Sequence, residues 1–510
     1  MINKNTNYDD KVTKINKTIE SKTDKSSKNK KAEKLAIRQA KIDKAAEIKA
    51  KKISYKKAKV ENKIKNSTKT KNSKNETLSL KKQLELIAKK QNPDADWLHL
   101  DNAALIFPSA ENADMSSMYR ITVLMKDTVQ PLLLQEALNE TVPRFPSIVS
   151  AVKHGFFWYY LEPSNKPLVV EEQTDFPSRK IPLDARHSLI RVTYFKNEIS
   201  VEYFHAASDG AGAVVYFNSL IACYIKLLGC EIKEMINCRD TRDKPRPEEL
   251  TDSFQTAFNS KTKGSNNGII AYTYKGRSLP ATSVILVKGV MDGKQLLNLS
   301  RTKDCTITEL LTAVLIWSFL EDIKLFGKKA KHPIIISVPV NLRSLYPSQS
   351  LRNFVSMMAI KHEGESELDD IILSVKNQMK QQYCKEFFDG LVGFNVQSQH
   401  NPAIKLMPLF IKNITLRVAS YMYGDKMRTT TISNLGNMSA PPEFKDYVLR
   451  YEYSLGPQKR ESLDMTCGTY NGTCVITVSK TIYESNIERF FFSKLADLGM
   501  EIAMETNFEL

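Results

Sequence analysis

The chain contains cysteines but lacks every spacing that cysteine chemistry requires. Its seven cysteines are an odd number, and no two of them form a CxxC pair. None lies beside a candidate base in the sequence, so a thiol nucleophile is disfavoured and a zinc site has no better support. We expect reduced, mostly buried thiols in a reducing compartment. They are Cys223, Cys230, Cys238, Cys305, Cys384, Cys467 and Cys474.

A secretory segment and a long uninterrupted apolar run are also missing. Residues 1–4 carry charge with no apolar segment behind them. The most apolar stretch, residues 211–229, is interrupted by Asn218, Ser219 and Lys226, which predicts a buried helix rather than a membrane span. We therefore expect a cytoplasmic protein.

Acidic residues are scarce at one end of the chain only. Residues 1–75 hold 24 Lys/Arg and 8 Asp/Glu, a net charge of +16, whereas residues 76–510 have a net charge of +1. The only aromatic residues of the first segment are Tyr8 and Tyr55. Such a segment cannot bury enough apolar surface to fold alone. The pattern predicts a nearly neutral folded body with a basic tail that is disordered or transiently helical.

The composition of the tail limits the partners it can have. Lysines outnumber arginines and aromatics are rare, so base stacking and bidentate base contacts are disfavoured, and we expect no specific nucleic acid. Non-specific attraction to polyanions remains. An anionic membrane surface is our preferred partner, which would add a peripheral membrane location. Non-specific nucleic-acid binding and a tail that only confers solubility are the alternatives.

Helix and strand patterns are mixed along both halves of the body. Residues 188–195 and 199–205 predict two strands, and Ile199, Val201, Tyr203 and His205 share one face of the second. The mixture predicts a mixed α/β protein with two sandwich lobes. The predicted division is a tail at 1–75, a first lobe at 76–240, a crossover at 241–280 and a second lobe at 281–510.

Further along the chain, several elements have clear local signals. Two helices are predicted around residues 368–383 and 403–422, and the spacing of Thr306 and Glu309 predicts a capping box that begins another helix. Asn471-Gly472, between two apolar runs, predicts a hairpin with a type I′ turn.

The most informative segment is Phe204-His205-Ala206-Ala207-Ser208-Asp209-Gly210, at the end of a predicted strand. A neutral imidazole at that point can take a proton from a hydroxyl, and an aspartate four residues later can fix the loop. The segment resembles the HxxxDG signature of the coenzyme A-dependent acyltransferase superfamily. That superfamily includes chloramphenicol acetyltransferase, the BAHD acyltransferases, the alcohol acetyltransferases and the condensation domains of peptide synthetases.

Other segments resemble the same superfamily, in its order and at its spacing. Together with the signature above, these segments cover most of residues 97–505. Within the superfamily, the sequence most resembles the alcohol acetyltransferases. They are Arg144-Phe145-Pro146, Thr312 to Trp317, Val338 to Arg343 followed by Arg352-Asn353-Phe354, and Ile432 to Gly436.

The resemblance implies two chloramphenicol-acetyltransferase-like lobes with the active site in a channel between them. It implies His205 as general base and Asp209 as a structural residue of the catalytic loop paired with Arg343, with a second base as the alternative role of Asp209. Gly210 is expected where the loop turns and the backbone packs closely. Asn353 is expected to brace the backbone, and Ser433 or Asn434 to donate to an oxyanion. Acyl-coenzyme A is the implied co-substrate, with no bound cofactor and no metal.

Three departures from the superfamily pattern narrow the function. Phe204 stands where condensation domains carry a second histidine, which favours O-acyl transfer over peptide-bond formation. The BAHD motif DFGWG is absent, and Ser433-Asn434-Leu435-Gly436 stands near its place. Arg352 replaces the usual glycine, so the backbone there is expected to differ.

We predict a monomeric acyltransferase that moves an acyl group to an alcohol, with acetyl as the preferred acyl group. A lipid or glycolipid hydroxyl, and a non-catalytic binding protein of the same fold, are the alternatives.

Overall fold

The computed structural model divides the chain into two units, Met1–Glu85 and Leu86–Leu510. It describes Ile87, Gln91 and residues 97–111, 116–260, 268–281, 283–327, 329–456 and 461–508, without the side chains at 423 and 425. All of these belong to the second unit. The predicted tail at 1–75 lies outside the described residues, and the proposed domain boundaries stay a prediction.

The described residues form a mixed α/β structure, as predicted. The α-helices are α1 (Phe107–Ala110), α2 (Pro131–Thr141), α3 (Pro146–Val149), α4 (Gly210–Leu227), α5 (Ser253–Ala257), α6 (Gly293–Thr302), α7 (Ile307–Leu325), α8 (Leu368–Gln382), α9 (Lys385–His400), α10 (Pro402–Leu406), α11 (Leu409–Tyr423) and α12 (Asn486–Asp497). Short 3₁₀-helices occupy Val142–Arg144, Pro247–Leu250, Leu342–Ser344, Asp425–Met427 and Pro442–Asp446.

The strands form three sheets. They are β1 (Leu98–His99), β2 (Met118–Met125), β3 (Ala151–His154), β4 (Tyr159–Glu162), β5 (Glu171–Glu172), β6 (Ile190–Phe195), β7 (Glu198–Phe204), β8 (Ile285–Asp292), β9 (Ile334–Asn341), β10 (Val355–His362), β11 (Thr430–Asn437), β12 (Val448–Leu455), β13 (Leu463–Tyr470), β14 (Thr473–Lys480) and β15 (Ala503–Thr506). The sheets have the orders β12-β2-β7-β6-β5, β10-β9-β11-β13-β14-β8-β15 and β1-β4-β3.

The five-stranded sheet and α4 enclose the first of two hydrophobic cores. β7 pairs antiparallel with β2 and β6, so its buried face meets apolar residues on both sides. Apolar residues follow one another along α4 because nearly the whole helix is buried against this sheet. Of the described helices, α4 is the one long and apolar enough to cross a membrane by length and composition, and 78% of it is buried inside the protein.

The seven-stranded sheet, α7, α8 and α12 enclose the second core. The predicted capping box begins α7: Thr306 Oγ1 accepts from Glu309 N at 3.2 Å, and Glu309 accepts in return from Thr306 N. Asn471 and Gly472 both have positive φ, as a type I′ hairpin between β13 and β14 requires. The predicted hairpin is confirmed, with strands at Leu463–Tyr470 and Thr473–Lys480.

Some elements differ from the sequence prediction. The helix predicted around 403–422 is two helices, because Pro408 has an extended ψ of 144° and caps the start of α11. The strand β2 and the helix α9 were not predicted. Gly390 and Gly393 in α9 weaken its helical signal. β12 joins the first sheet beside β2, although its sequence neighbours lie in the second.

Candidate active site

His205 directly follows the last residue of β7. Its backbone N donates to Ser117 O at 2.8 Å, which holds the chain where the strand ends. Its imidazole stacks on the Phe107 ring at 4.5 Å between centroids and meets the edge of the Tyr119 ring at 5.1 Å. The side chain nevertheless keeps part of its surface accessible. These two ring contacts fix the plane of the imidazole.

Asn353 contacts the imidazole directly. Its Oδ1 lies 3.0 Å from His205 Nδ1, and its Nδ2 donates to Asp101 Oδ2 at 3.2 Å. The expectation that Asn353 braces backbone is therefore wrong for its side chain, whose amide joins two other side chains. Because the Asn353 amide N–H points to a carboxylate, its oxygen faces His205 and accepts a hydrogen bond from Nδ1–H. The neutral ring then carries its free lone pair on Nε2.

Asp101 is held in place from several sides. Its Oδ1 accepts from Ala104 N at 2.7 Å, and its Oδ2 lies 3.6 Å from Arg352 Nε. Arg352 is buried as well, and it donates to the carbonyls of Leu250 and His99. The arginine that replaces the usual glycine of the superfamily thus neutralises a buried carboxylate. A continuous chain of contacts therefore runs from Arg352 through Asp101 and Asn353 to His205.

The surroundings of His205 favour its neutral form. Burial lowers the pKa of His205 below its usual value of about 6.5, although Asp209, the Asn353 hydrogen bond and Asp101 act in the opposite direction. Burial also raises the pKa of Asp101, against the nearby Arg352. The neutral imidazole is the form that accepts a proton.

Asp209 points away from His205 and into the protein. Its Oδ2 lies 2.7 Å from Arg343 Nη1 and accepts from Phe354 N at 2.7 Å. Its Oδ1 caps α4 by accepting from Gly212 N at 3.0 Å. Arg343 also donates to the carbonyl of Ser350. The structure thus brings Asp209 and Arg343 together, and the pair joins the start of α4 to the segment before β10.

The two glycines at the start of α4 differ in what surrounds them. Gly210 does not have the positive φ of a turn glycine, and a Cβ there would meet only the Leu435 side chain, at 3.0 Å. A Cβ at Gly212 would lie 2.1 Å from Leu351 O and 2.3 Å from Ser208 Oγ. The close backbone approach expected at Gly210 therefore occurs at Gly212, where backbone from the other half of the chain leaves no room for a side chain.

Ser433 and Asn434 face opposite sides of β11, as successive strand residues do. The Ser433 hydroxyl is a hydrogen-bonding neighbour of the Tyr453 hydroxyl. The Tyr453 ring packs against Tyr119, which in turn contacts His205. Asn434 instead donates to Thr308 Oγ1 at 3.0 Å and accepts from Gly436 N at 2.8 Å. The structure places Ser433 on the His205 side and Asn434 on the other.

A cavity of about 500 Å³ opens on the Asn434 side. It is lined by the first residues of α7, by β9 and by α8, including Thr308, Asn341 and Lys380. Asn341 also accepts from Arg343 Nη1 at 3.1 Å, so the cavity adjoins the ion pair of Asp209. The start of a helix and a lysine can bind a phosphate-bearing ligand, and Glu309 of the capping box lies in the same lining.

Sequence reasoning missed Asp101, Phe107 and Tyr119, which the fold brings to His205 from distant positions. Only Arg352 gave a signal, because an arginine in a buried stretch needs a carboxylate partner. In the described part of the chain, no cluster of three or more His, Cys, Asp or Glu residues could hold a metal ion.

Comparison with solved structures identifies the fold. The polyketide synthase associated protein 5 from Mycobacterium tuberculosis matches with a TM-score of 0.52 at 14% identity, over 80% of this chain and 98% of that one. The trichothecene 15-O-acetyltransferase from Fusarium sporotrichioides matches with a TM-score of 0.51 at 12% identity, over 78% and 93%. The starter condensation domain of rhizomide synthetase, in complex with C8-CoA, matches with a TM-score of 0.52 at 13% identity, over 79% and 94%.

The chain therefore shares the two-lobed fold of these acetyltransferase and condensation-domain structures. No family model matches the sequence. No curated protein matches it either. Because acetyltransferases and condensation domains share this fold, the reaction has to be argued from the site.

Proposed function

We propose that the protein transfers an acyl group from coenzyme A to a hydroxyl group, with His205 as general base. The observation that carries the proposal is the contact of His205 Nδ1 with Asn353, which leaves Nε2 as the acceptor of a proton. An acetyl group and an alcohol are the preferred donor group and acceptor. We place the reaction in a channel between the lobes of a monomer, because His205 follows β7 of the first sheet and Asn353 precedes β10 of the second.

In the proposed reaction the acceptor hydroxyl gives its proton to His205 Nε2 while its oxygen attacks the thioester carbonyl carbon. The C–S bond then breaks, and the leaving thiolate takes the proton back from the imidazolium. The acceptor leaves as an ester and coenzyme A as a free thiol, so no covalent enzyme intermediate is needed. Ser433, on the His205 side of β11, is the preferred donor to the developing oxyanion, and Asn434 is the second candidate.

The cavity beside Asp209 and Arg343 is the proposed site of the coenzyme A arm. Lys380 and the positive end of the α7 dipole would attract its phosphates, and Glu309 is the one carboxylate among the described residues of the lining. The alternative of peptide-bond formation is disfavoured because Phe204, in the position of the second histidine, is buried in the first core. The cytoplasm, where acyl-coenzyme A is available, is the proposed location.

The test is the release of coenzyme A by His205→Ala, with thermal unfolding measured in parallel. A positioned base contributes about 10²–10⁴ in rate, so we expect at least a hundredfold loss with unchanged folding. His332→Ala, which removes an exposed histidine before β9, is the matched control and should keep the full rate. If His205→Ala keeps more than a tenth of the rate, the base assignment is wrong. A wild-type protein that turns over no acyl-coenzyme A with any hydroxyl would favour the non-catalytic alternative.

A further inference from the structure

The helix α11 exposes an apolar stripe to solvent. Four exposed apolar residues follow one another at intervals of four: Phe410, Ile414, Val418 and Met422. The exposed fraction is 68% for Phe410 and 62% for Ile414. Such spacing puts the four on one side of a helix. Exposed apolar residues scattered singly are ordinary, but a continuous row along one helix marks an interaction surface.

A second segment extends this surface. The turn between β3 and β4 meets the start of α11, where Phe156 O accepts from Leu409 N at 2.9 Å. Lys412 Nζ donates to Phe157 O at 2.8 Å and lies over the Trp158 ring. Phe156 is 72% exposed, and Leu406, just before α11, is 73% exposed. We call Phe156, Leu406, Phe410, Ile414, Val418 and Met422 the apolar face.

The charged residues within the two segments that carry the apolar face are cations. The carboxylates that flank these segments in the sequence are Glu140, Glu162, Asp389 and Asp425. Residues 390–424 contain no Asp or Glu, and neither do residues 141–161, in a chain with 57 acidic residues among 510. Lys405 and Arg417 are exposed along the first segment. The two segments thus combine exposed apolar side chains with cations and hold no carboxylates. This combination complements a bilayer with anionic headgroups.

The apolar face lies close to the candidate active site. On the side of α11 that meets α1, Asn413 Oδ1 accepts from Ser109 Oγ at 2.8 Å, and Arg417, though exposed, donates from Nε to Ser109 O at 3.2 Å. Ser109 belongs to α1, and Phe107 of the same helix stacks on His205. One four-residue helix therefore separates the apolar face from the imidazole.

We propose that the apolar face docks onto an anionic lipid bilayer and that the acceptor hydroxyl belongs to a membrane-dissolved, lipid-like molecule. The docking stands on the apolar face itself, whereas the identity of the acceptor rests on the proposed acyl transfer. Through α1, the apolar face and His205 are two contacts apart, so an acceptor held in the bilayer would start close to the candidate active site. This selects the lipid or glycolipid hydroxyl among the acceptors considered above.

The test uses the full-length protein and vesicles of phosphatidylcholine with one quarter phosphatidylglycerol. Binding is measured by co-sedimentation at low salt and at high salt, where the screening length falls to about 3–4 Å and attraction through the basic tail is suppressed. Phe410→Glu/Ile414→Glu should bind about tenfold more weakly or worse at high salt, because two buried apolar contacts are replaced by charges. Leu132→Glu/Leu373→Glu is the matched control, because it changes two exposed leucines on α2 and α8, and it should bind as the wild type does.

Thermal unfolding of both double variants checks that each is folded. Equal binding by the two folded variants would overturn the docking, and so would equally tight wild-type binding to pure phosphatidylcholine at low salt. Sedimentation equilibrium tests whether a second copy of the protein occupies the apolar face instead of a bilayer. A wild-type dimer that dissociates in Phe410→Glu/Ile414→Glu would also overturn the proposal. Turnover of the wild type on a soluble alcohol is measured separately, so a failure of acyl transfer is distinguishable from a failure of docking.

Discussion

At the scale of single residues, the site is organised by two separate sets of contacts around the same loop. Asn353, Asp101 and Arg352 set the imidazole of His205, while Arg343 and Phe354 N hold Asp209. The first set decides which ring nitrogen carries the proton, and the second decides where the loop lies. The two sets should respond differently to substitution, which gives two predictions.

We predict that Asn353→Leu lowers kcat about tenfold or more and moves the acid limb of the kcat/KM profile to lower pH. The Asn353 hydrogen bond raises the pKa of His205, so its loss lowers that pKa further and the ring stays neutral in more acidic solution. The plateau falls because the ring is free to place its proton on either nitrogen. The measurement is kcat/KM against pH for wild type and variant.

A merely structural role for Asn353 would lower the plateau and leave the acid limb in place. An acid limb that moves to higher pH would contradict the assignment of Asn353 Oδ1 as the partner of His205 Nδ1.

The lowered pKa of His205 also makes the stability of the protein depend on pH. Its pKa is lower in the folded state than in the unfolded state, so its contribution lowers stability as pH falls below the unfolded value of about 6.5.

We predict that Asp209→Asn and Arg343→Ala each reduce stability and activity and that their effects are not additive. Removal of one partner of a buried pair costs about 3–5 kcal/mol. Arg343 is slightly accessible, and its carbonyl contacts persist in Asp209→Asn, so the lower end of that range is expected for this variant. Urea unfolding of the two single variants and the double variant gives the coupling energy. We expect at least about 0.5 kcal/mol, and additivity would remove Arg343 as the functional partner.

At the scale of elements, the start of α4 is where the two halves of the body meet most closely. Gly212 in the first turn of α4 leaves no space between the helix and Leu351 O, and Ser208 Oγ donates to the same carbonyl at 2.6 Å. A buried ion pair joins the first lobe to the predicted crossover, since Arg144 holds Glu249 through two hydrogen bonds of 2.7 and 3.0 Å. These contacts link the loop of His205 to the segments that carry its partners.

We predict that Gly212→Ala destabilises the protein by about 1–3 kcal/mol, since its Cβ would overlap backbone atoms that cannot move independently. Gly390→Ala is the matched control. It lies inside α9 with nothing within 4 Å of its Cβ position, so alanine should stabilise by about 0.5–1 kcal/mol. The midpoints of chemical unfolding measure both. A neutral Gly212→Ala would mean that α4 and the segment at Leu351 are not tightly packed in solution.

At the scale of the whole molecule, the distribution of charge separates two tasks. The body is nearly neutral, and the excess of positive charge lies in residues 1–75. We infer that this tail provides long-range, salt-dependent attraction to anionic surfaces. The apolar face of α11 would provide short-range contact that persists in salt. Neither task is part of the chemistry at His205.

We predict that deletion of residues 1–75 leaves turnover on a soluble alcohol unchanged and removes the salt-sensitive part of vesicle binding. The physical reason is that 24 of the 74 Lys/Arg lie in this segment with only 8 carboxylates. Co-sedimentation of the truncated and full-length proteins across a salt series measures the effect. Loss of turnover on the soluble alcohol would show that the tail belongs to the active site.

The sequence by itself determined the features that depend on neighbours along the chain. The strand that ends at His205, the capping box of α7 and the Asn471-Gly472 hairpin follow from local periodicity, capping and turn chemistry, and the structure confirms them. The order of the short motifs likewise indicated the two-lobed fold before any coordinates. These signals are readable because each is complete within about ten residues.

Only the tertiary structure decided how the site is assembled. Asn353 is 148 residues from His205 and 252 residues from Asp101, and no local pattern encodes contacts over such separations. The pairing of β12 with β2 and the meeting of α11 with the β3–β4 turn are of the same kind. Such contacts depend on how whole elements pack, because packing alone brings distant side chains within hydrogen-bonding reach and leaves the stripe on α11 uncovered.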